Sequence, residues 1–369
     1  MNRLERIKGC LLGGAVGDAL GAPVEFLEWS AIEAKFGPQG IVDFAPAFGT
    51  TGAITDDTQM MLFTAEGLLR AYVCGSSRGT CHVPSIIHHS LLRWLITQDY
   101  PTAMPVGVDG WLIKQSELWS RRAPGTTCLG ALKASPRLGA VAENNSKGCG
   151  ALMRVAPCAF FANAFDYAAQ SGRLTHGHPT GYLAAGLFAD ILQRIVDRQD
   201  SLEHAVTQNL AKYGQTPGME EKRSLIERVL FYFYEGYQPT PQRIGELGGG
   251  WVAEETLAIG LWCALAARLF EAGVITAVNH SGDSDSTGLI AGHLLGVQYG
   301  AAVIPARWFE QLELREVIVQ IAEDVERIPR EYCGYGGEFD QQIELAYPRW
   351  LRALMETTMD KFSGELRCL

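Results

Sequence analysis

Glycine recurs at every fourth position in two apolar stretches of this chain. Gly13, Gly17 and Gly21 form one set; Gly288, Gly292, Gly296 and Gly300 form the other. A four-residue spacing aligns each set along one face of a helix. Glycine inside a helix costs about 0.5–1 kcal/mol relative to alanine. Such a ladder is expected where a neighbouring helix comes too close for side chains to fit between. The feature predicts dense helix packing and places the acidic motifs beside the glycines deep in the fold.

Helical periodicity runs through the rest of the chain. Leu4, Ile7, Leu11 and Leu12 open one helix, and Met60, Met61, Leu62, Leu68 and Leu69 mark another. Apolar spacings near three and four recur over 85–96, 180–196, 202–212, 222–235, 253–270 and 286–303. Strand-like alternation is scarce, with Ile41-Val42-Asp43-Phe44 the one short candidate. Turn-rich stretches fall at 97–110, 121–127 and 236–250. No low-complexity linker, charge block or internal repeat divides the chain. The reading is an all-α fold: a single large compact domain of orthogonal helices over 1–369.

Charge narrows the partners. There are 31 Lys and Arg against 41 Asp and Glu, a net of −10. No general basic field is available for a nucleic-acid backbone, so an anionic ligand would need local donors or a metal ion. Nine cysteines are scattered without a CxxC pair, which fits a reducing compartment, with Cys10, Cys149, Cys158 and Cys263 as small core residues. The N-terminus lacks a signal-peptide pattern. The longest strongly apolar stretch, Thr256 to Ala267, has 12 residues, short of the ~20 of a membrane-spanning helix. The expectation is a cytoplasmic protein with no membrane association.

Three acidic motifs carry the chemistry. Thr55-Asp56-Asp57-Thr58 follows a Gly/Thr turn and leads into an apolar helix that Thr55 or Asp56 could cap. Gly282-Asp283-Ser284-Asp285-Ser286-Thr287-Gly288 precedes another. A calcium loop of the EF-hand type is excluded there, because Leu294 occupies the position of the required bidentate Glu. Asp18 lies inside the first glycine-rich helix, with Glu25 just beyond. A buried Asp is rare unless it is paired or ligating. Converging carboxylates repel, so this group needs cations. All-oxygen ligands point to Mg²⁺, Mn²⁺ or Ca²⁺ rather than Zn²⁺. Two glycine loops accompany them. Asn145 to Arg154 offers backbone donors that could seat a phosphate, and Trp251, after Gly248-Gly249-Gly250, could stack on a base.

In order along the chain, these residues resemble the ADP-ribosylglycohydrolase family. The motifs are Gly13 to Gly21 with Glu25, Thr55 to Thr58, Arg122 to Leu129, Ser146 to Pro157, Thr175 to Pro179, Gly250 to Glu255, and Ser281 to Gly288. The resemblance implies helices built around a dinuclear Mg²⁺ site, with Mn²⁺ as a substitute. Thr55, Asp56, Asp57 and Asp285 would hold one ion. Asp283, Asp285 and Ser286 would contribute to the pair, with Asp285 bridging and Thr287 an alternative hydroxyl. Asp18 would stand behind the ligands on the substrate side. Ser146, Lys147, Gly148, Cys149, Gly150, His176 and Trp251 would contact ADP-ribose. Glu25, Asp57 and Asp285 would be catalytic. The Gly-Asp-Ser-Asp-Ser-Thr-Gly form is similar to arginine-directed members. The implied activity is removal of ADP-ribose from modified arginine on proteins. An alternative is an immunity protein that neutralises an ADP-ribosyltransferase toxin by hydrolysis or by binding it. A phosphohydrolase acting on a nucleotide fits the acidic cluster but not the other motifs.

Overall fold

The two glycine-bearing helices pack against each other along their length at the centre of the molecule. They are α1 (Arg3–Gly21) and α13 (Ser284–Tyr299). A Cβ on Gly17 would run into the backbone carbonyl of Gly288; one on Gly13 would meet Gly292; one on Gly9 would meet Gly296. The reciprocal contacts hold from the other side, so the ladder is a seam of backbone against backbone. Gly9, one turn before the first predicted member, belongs to it. Gly300 does two things: with φ +81° it ends α13, and its backbone still closes on Gly9. At the site end, a Cβ on Gly21 would strike the backbone of Ser284 and Asp285. The seam therefore delivers the last turn of α1 directly onto the first turn of α13.

The computed structural model describes residues 1–349, and residues 350–369 of the expected domain lie outside that range. After α1 come α2 (Trp29–Phe36), a hairpin of β1 (Pro46–Ala47) and β2 (Thr50–Thr51), α3 (Asp56–Arg78), α4 (Val83–Thr97) and α5 (Thr126–Ala134). Next are α6 (Ala164–Arg173), α7 (Pro179–Arg198), α8 (Leu202–Tyr213), α9 (Glu220–Tyr234), α10 (Pro241–Ile244), α11 (Ala253–Ala266) and α12 (Phe270–Val278). Beyond α13 lie α14 (Ala306–Gln311), α15 (Arg315–Glu331) and α16 (Glu338–Ala346). The fold is all-α, as expected. Helices α11, α12 and α1 pack on α13, so the central helix is apolar on every side.

Two local expectations change. The segment Ile41–Phe44 forms no strand and bends at Asp43; the backbone of Ile41 is paired by the side chain of Asn279. Asn279 Oδ1 accepts from the Ile41 N–H at 2.8 Å, and its Nδ2 donates back to the Ile41 carbonyl at 2.8 Å. The stretch 253–270 divides into α11 and α12, with a break over Ala267-Arg268-Leu269 that no Gly or Pro announces.

Helix α3 positions one acidic motif. Thr55 caps it, its hydroxyl accepting from the Asp57 N–H at 3.2 Å, and Gly79 closes it with φ +77°. Its body is tied to α4 and the following loop by buried charges. Arg93 reaches Glu66 at 3.1 Å and Asp109 at 2.7 Å, and Arg70 reaches Asp109 at 2.9 Å. Breaking one partner of such a pair leaves a buried charge uncompensated.

Alanine at Gly17 is expected to destabilise the fold by about 1–3 kcal/mol, because the seam must open to admit the methyl group. Gly130 on α5 has open space at its Cβ, so Gly130→Ala should be neutral or stabilising through helix propensity. Denaturant unfolding of the two variants checks this. Equal stability would show that the seam has slack.

Candidate active site

Three chain ends meet in one place: the C-terminus of α1 and the N-termini of α3 and α13. They bring together Asp18, Glu25, Asp56, Asp57, Asp283 and Asp285, all buried except Glu25, which is half-buried. The helix N-termini of α3 and α13 face the acidic groups with their positive dipole ends, which offsets part of the repulsion. One carboxylate oxygen from each of Glu25, Asp283 and Asp285 can be chosen so that all lie within 4.8 Å of one another, a spacing suited to a shared cation.

The carboxyls are pushed towards their protonated forms. Burial is the first cause for every one of the six. The charge of Asp285 adds to this for Asp18, Glu25, Asp57 and Asp283. Asp18 is raised to about 7 and Glu25 to about 11. Asp283 and Asp285 lie side by side, and the charge of Asp285 adds to burial in raising the pKa of Asp283.

The hydroxyls serve the same cluster. Ser286 Oγ donates to Asp57 Oδ2 at 2.7 Å, and the Thr55 hydroxyl pairs with Asp285. Asp56 Oδ2 accepts from the Gly125 N–H at 3.2 Å. Of the two candidate hydroxyls at the start of α13, Ser286 faces the pocket. Thr287 turns away, its hydroxyl oxygen 2.8 Å from the Ala277 and Asp283 carbonyls and from His280 Nε2. An all-oxygen set at this spacing fits a hard divalent cation.

Asp18 and Lys147 stand apart from the pocket. Asp18 is wholly buried and caps α3 from another helix. It accepts from the Thr55 N–H at 3.0 Å and the Thr58 N–H at 3.2 Å, and from the Thr58 hydroxyl. Its work is to hold Thr55–Thr58 in place. Lys147 Nζ lies 2.6 Å from Glu221 and 3.4 Å from Glu254. Local sequence gives no sign of a partner 74 residues away.

The pocket holds about 350 Å³, with Glu25, the Asp pairs, Gly148, Cys149, Gly150, His176 and Trp251 among its walls. A larger hollow of 690 Å³ adjoins it through Thr126 and Thr127 and reaches Ser146. The Ser146–Gly150 loop is less free than its sequence suggests. The Gly148 N–H is bonded to Ser146 Oγ at 3.2 Å and the Cys149 N–H to the Trp251 carbonyl at 3.2 Å. Cys149 is not core: its thiol lines the pocket and donates to Asp283 Oδ2 at 3.0 Å. Cys10, Cys158 and Cys263 are buried as expected. Trp251 stacks on Phe26 at 5.3 Å, and both rings are exposed at the pocket mouth. Phe26 escaped the sequence reading, although it directly follows Glu25. Glu313 did too; it receives Arg122 at 2.7 Å and the Ile54 N–H at 3.1 Å, bracing the loop before Thr55.

Comparison with known proteins agrees with this architecture. The model of the ADP-ribosylglycohydrolase family matches residues 1–333. The chain is 26% identical to the ADP-ribosyl-[dinitrogen reductase] glycohydrolase of Rhodospirillum rubrum, over 84% of this chain and 91% of that protein. It is 26% identical to the ADP-ribosylarginine hydrolase Tri1 of Pseudomonas putida, over 89% of this chain and 80% of that one. A solved structure described as an ADP-ribosylglycohydrolase-related protein complex superposes with a TM-score of 0.66 at 28% identity, covering 89% of this chain and 99% of its own. The chain belongs to the ADP-ribosylglycohydrolase family, whose members are hydrolases that remove ADP-ribose. No helix among the described residues is long and apolar enough to cross a membrane.

The raised carboxyls fix the sign of a pH effect. A carboxyl whose folded pKa exceeds its unfolded one binds more protons in the native state, so stability falls as pH rises from the ordinary carboxylate range near 4. For the metal-free protein the fall should run through about 7 for Asp18 and onward towards about 11 for Glu25. Mg²⁺ should counter it, and more strongly near pH 8 than near pH 5, because ligands must be deprotonated. Melting curves in chelator and in Mg²⁺ across pH check this. A metal-induced rise that is larger at the acid end would contradict the site.

Proposed function

We propose that this protein is a Mg²⁺-dependent hydrolase that removes ADP-ribose from modified arginine side chains, reversing mono-ADP-ribosylation of proteins. The observation that carries the reading is the cluster of five carboxylates, Glu25, Asp56, Asp57, Asp283 and Asp285, that line an open pocket. A member of the family kept only for binding would have no need to maintain so many mutually repelling groups. Hydrolysis is for that reason preferred over plugging a toxin.

Thr55, Asp56, Asp57, Asp283, Asp285 and Ser286 would hold the ions. The ions, when bound, supply a Lewis-acid clamp for vicinal ribose hydroxyls. Everything else falls to the chain. Asp57, oriented by Ser286, takes a proton from the attacking water. Glu25, half-buried at the mouth, holds a proton that can follow the departing group. Water adds to the anomeric carbon, the bond from that carbon to the guanidine nitrogen breaks, and ADP-ribose and arginine result. The ADP portion extends past the Ser146–Gly150 loop and His176 towards the neighbouring hollow.

The arginine preference rests on the leaving group. A guanidinium keeps its positive charge near neutral pH. The acidic pocket and the faces of Phe26 and Trp251 both attract cations. Serine must leave as an alcohol and needs firm proton donation. The relatives' names, one an ADP-ribosylarginine hydrolase, point the same way.

With Mg²⁺ present, matched arginine- and serine-modified peptides should be hydrolysed with a clear preference for the arginine linkage. Glu25→Gln and Asp57→Asn should each lower kcat by about 10²–10⁴-fold with helicity intact. Release measured side by side checks both statements. Equal or faster release from serine overturns the substrate assignment, and near-normal rates in the variants overturn the assigned roles.

A further inference from the structure

Arg154 is wholly buried, and its guanidinium feeds a chain of hydrogen bonds that ends in the pocket. Nη1 donates to the Gly150 carbonyl at 2.6 Å. Nη2 donates to the Ser171 carbonyl at 2.7 Å and to Thr175 Oγ1 at 2.8 Å. Thr175 Oγ1 in turn lies 2.8 Å from His176 Nδ1. An arginine has no acceptor, so the threonine oxygen must accept from it.

The threonine proton then needs a home. Its choices are His176 Nδ1 at 2.8 Å, the Gly172 carbonyl at 3.4 Å and the Cys128 sulfur. The carbonyl is beyond the ordinary 2.5–3.0 Å range of an O–H···O bond, and sulfur is a weak acceptor. Nδ1 is the one well-placed partner and must therefore be unprotonated. A neutral imidazole carries its single proton on the other nitrogen. The ring is kept neutral by its surroundings: burial, then the Arg154 charge, pushes the His176 pKa down to about 3.

Nε2 faces the ligand side. His176 is a wall of the carboxylate pocket. A Cβ on Gly148 would sit 3.2 Å from Nε2, and one on Gly150 would sit 3.2 Å from Cε1. Those two glycines are thus the seat of the imidazole as much as a cradle for a phosphate.

We propose that Arg154 and Thr175 are positioning residues that lock His176 in its Nε2–H form, so that it presents a fixed neutral donor to an anionic oxygen of the ligand. The identity of that oxygen, a diphosphate oxygen of ADP-ribose, rests on the functional reading above; the direction of the relay does not.

The test uses the full chain labelled with ¹⁵N in histidine, and long-range imidazole spectra taken without ligand. Wild type should show His176 as a single Nε2–H tautomer. Thr175→Val should lose that uniformity and bind ADP-ribose about tenfold more weakly in the presence of Mg²⁺. KM should rise with kcat kept within about twofold, because a contact to a non-reacting part of the ligand is made equally in the ground and transition states. Thr175→Ser should restore tautomer and affinity. An Nδ1–H tautomer in wild type overturns the proposal without reference to any variant. So does an unchanged tautomer in Thr175→Val, or a serine variant that behaves like valine. Because the tautomer is read without ligand, a wild-type protein that shows it yet ignores ADP-ribose overturns the functional reading and leaves the relay standing.

Discussion

Six carboxyl groups held together, five of them buried and Glu25 half-buried, with burial raising the pKa of each, are the constraint on which the rest of this structure depends. Such a cluster opposes folding unless protons or cations neutralise it. The molecule contributes two partial answers: two helix N-termini, and donors from Thr55, Ser286 and the Gly125 N–H. The remaining charge is left for hard cations. On the proposed reading, the same feature would let the site orient a sugar, since the carboxylates are held in place by the fold.

The glycine seam is what brings the charges together. With no side chains between α1 and α13, Gly21 meets the first turn of α13, and Glu25 follows within one short loop. Asp18 then crosses to α3 and satisfies the N–H groups of Thr55 and Thr58. One carboxylate is thus used as a helix cap, which fixes Asp56 and Asp57 relative to α13. Stability and function share the seam: spreading α1 from α13 would loosen packing and separate the ligands by the same movement.

Much of this was legible in the sequence because it is periodic or chemically concentrated. The four-residue glycine spacing announced helix contact, and the acidic motifs announced a cation site. What stayed hidden is non-local. Gly300 follows the spacing, and only its backbone angle shows that it also ends the helix. The ion pairs of Lys147 with Glu221 and Glu254, which arrive from α9 and α11, likewise leave no trace in local sequence. Ile41-Val42-Asp43-Phe44 reads as a strand, yet the backbone of Ile41 is paired by a side chain, that of Asn279. Thr175 and Arg154 both lay within recognised motifs, yet their connection to His176 exists only in three dimensions.

The central claim is that the carboxylates of α3 and α13 hold a pair of divalent cations. Electron paramagnetic resonance of the protein titrated with Mn²⁺ tests it most directly, since two ions about 3.5–4 Å apart couple their spins. The account predicts a spin-coupled pair in the wild-type protein that is lost on Asp285→Asn. Failure to bind Mn²⁺, or an uncoupled signal indifferent to the loss of Asp285, would contradict it.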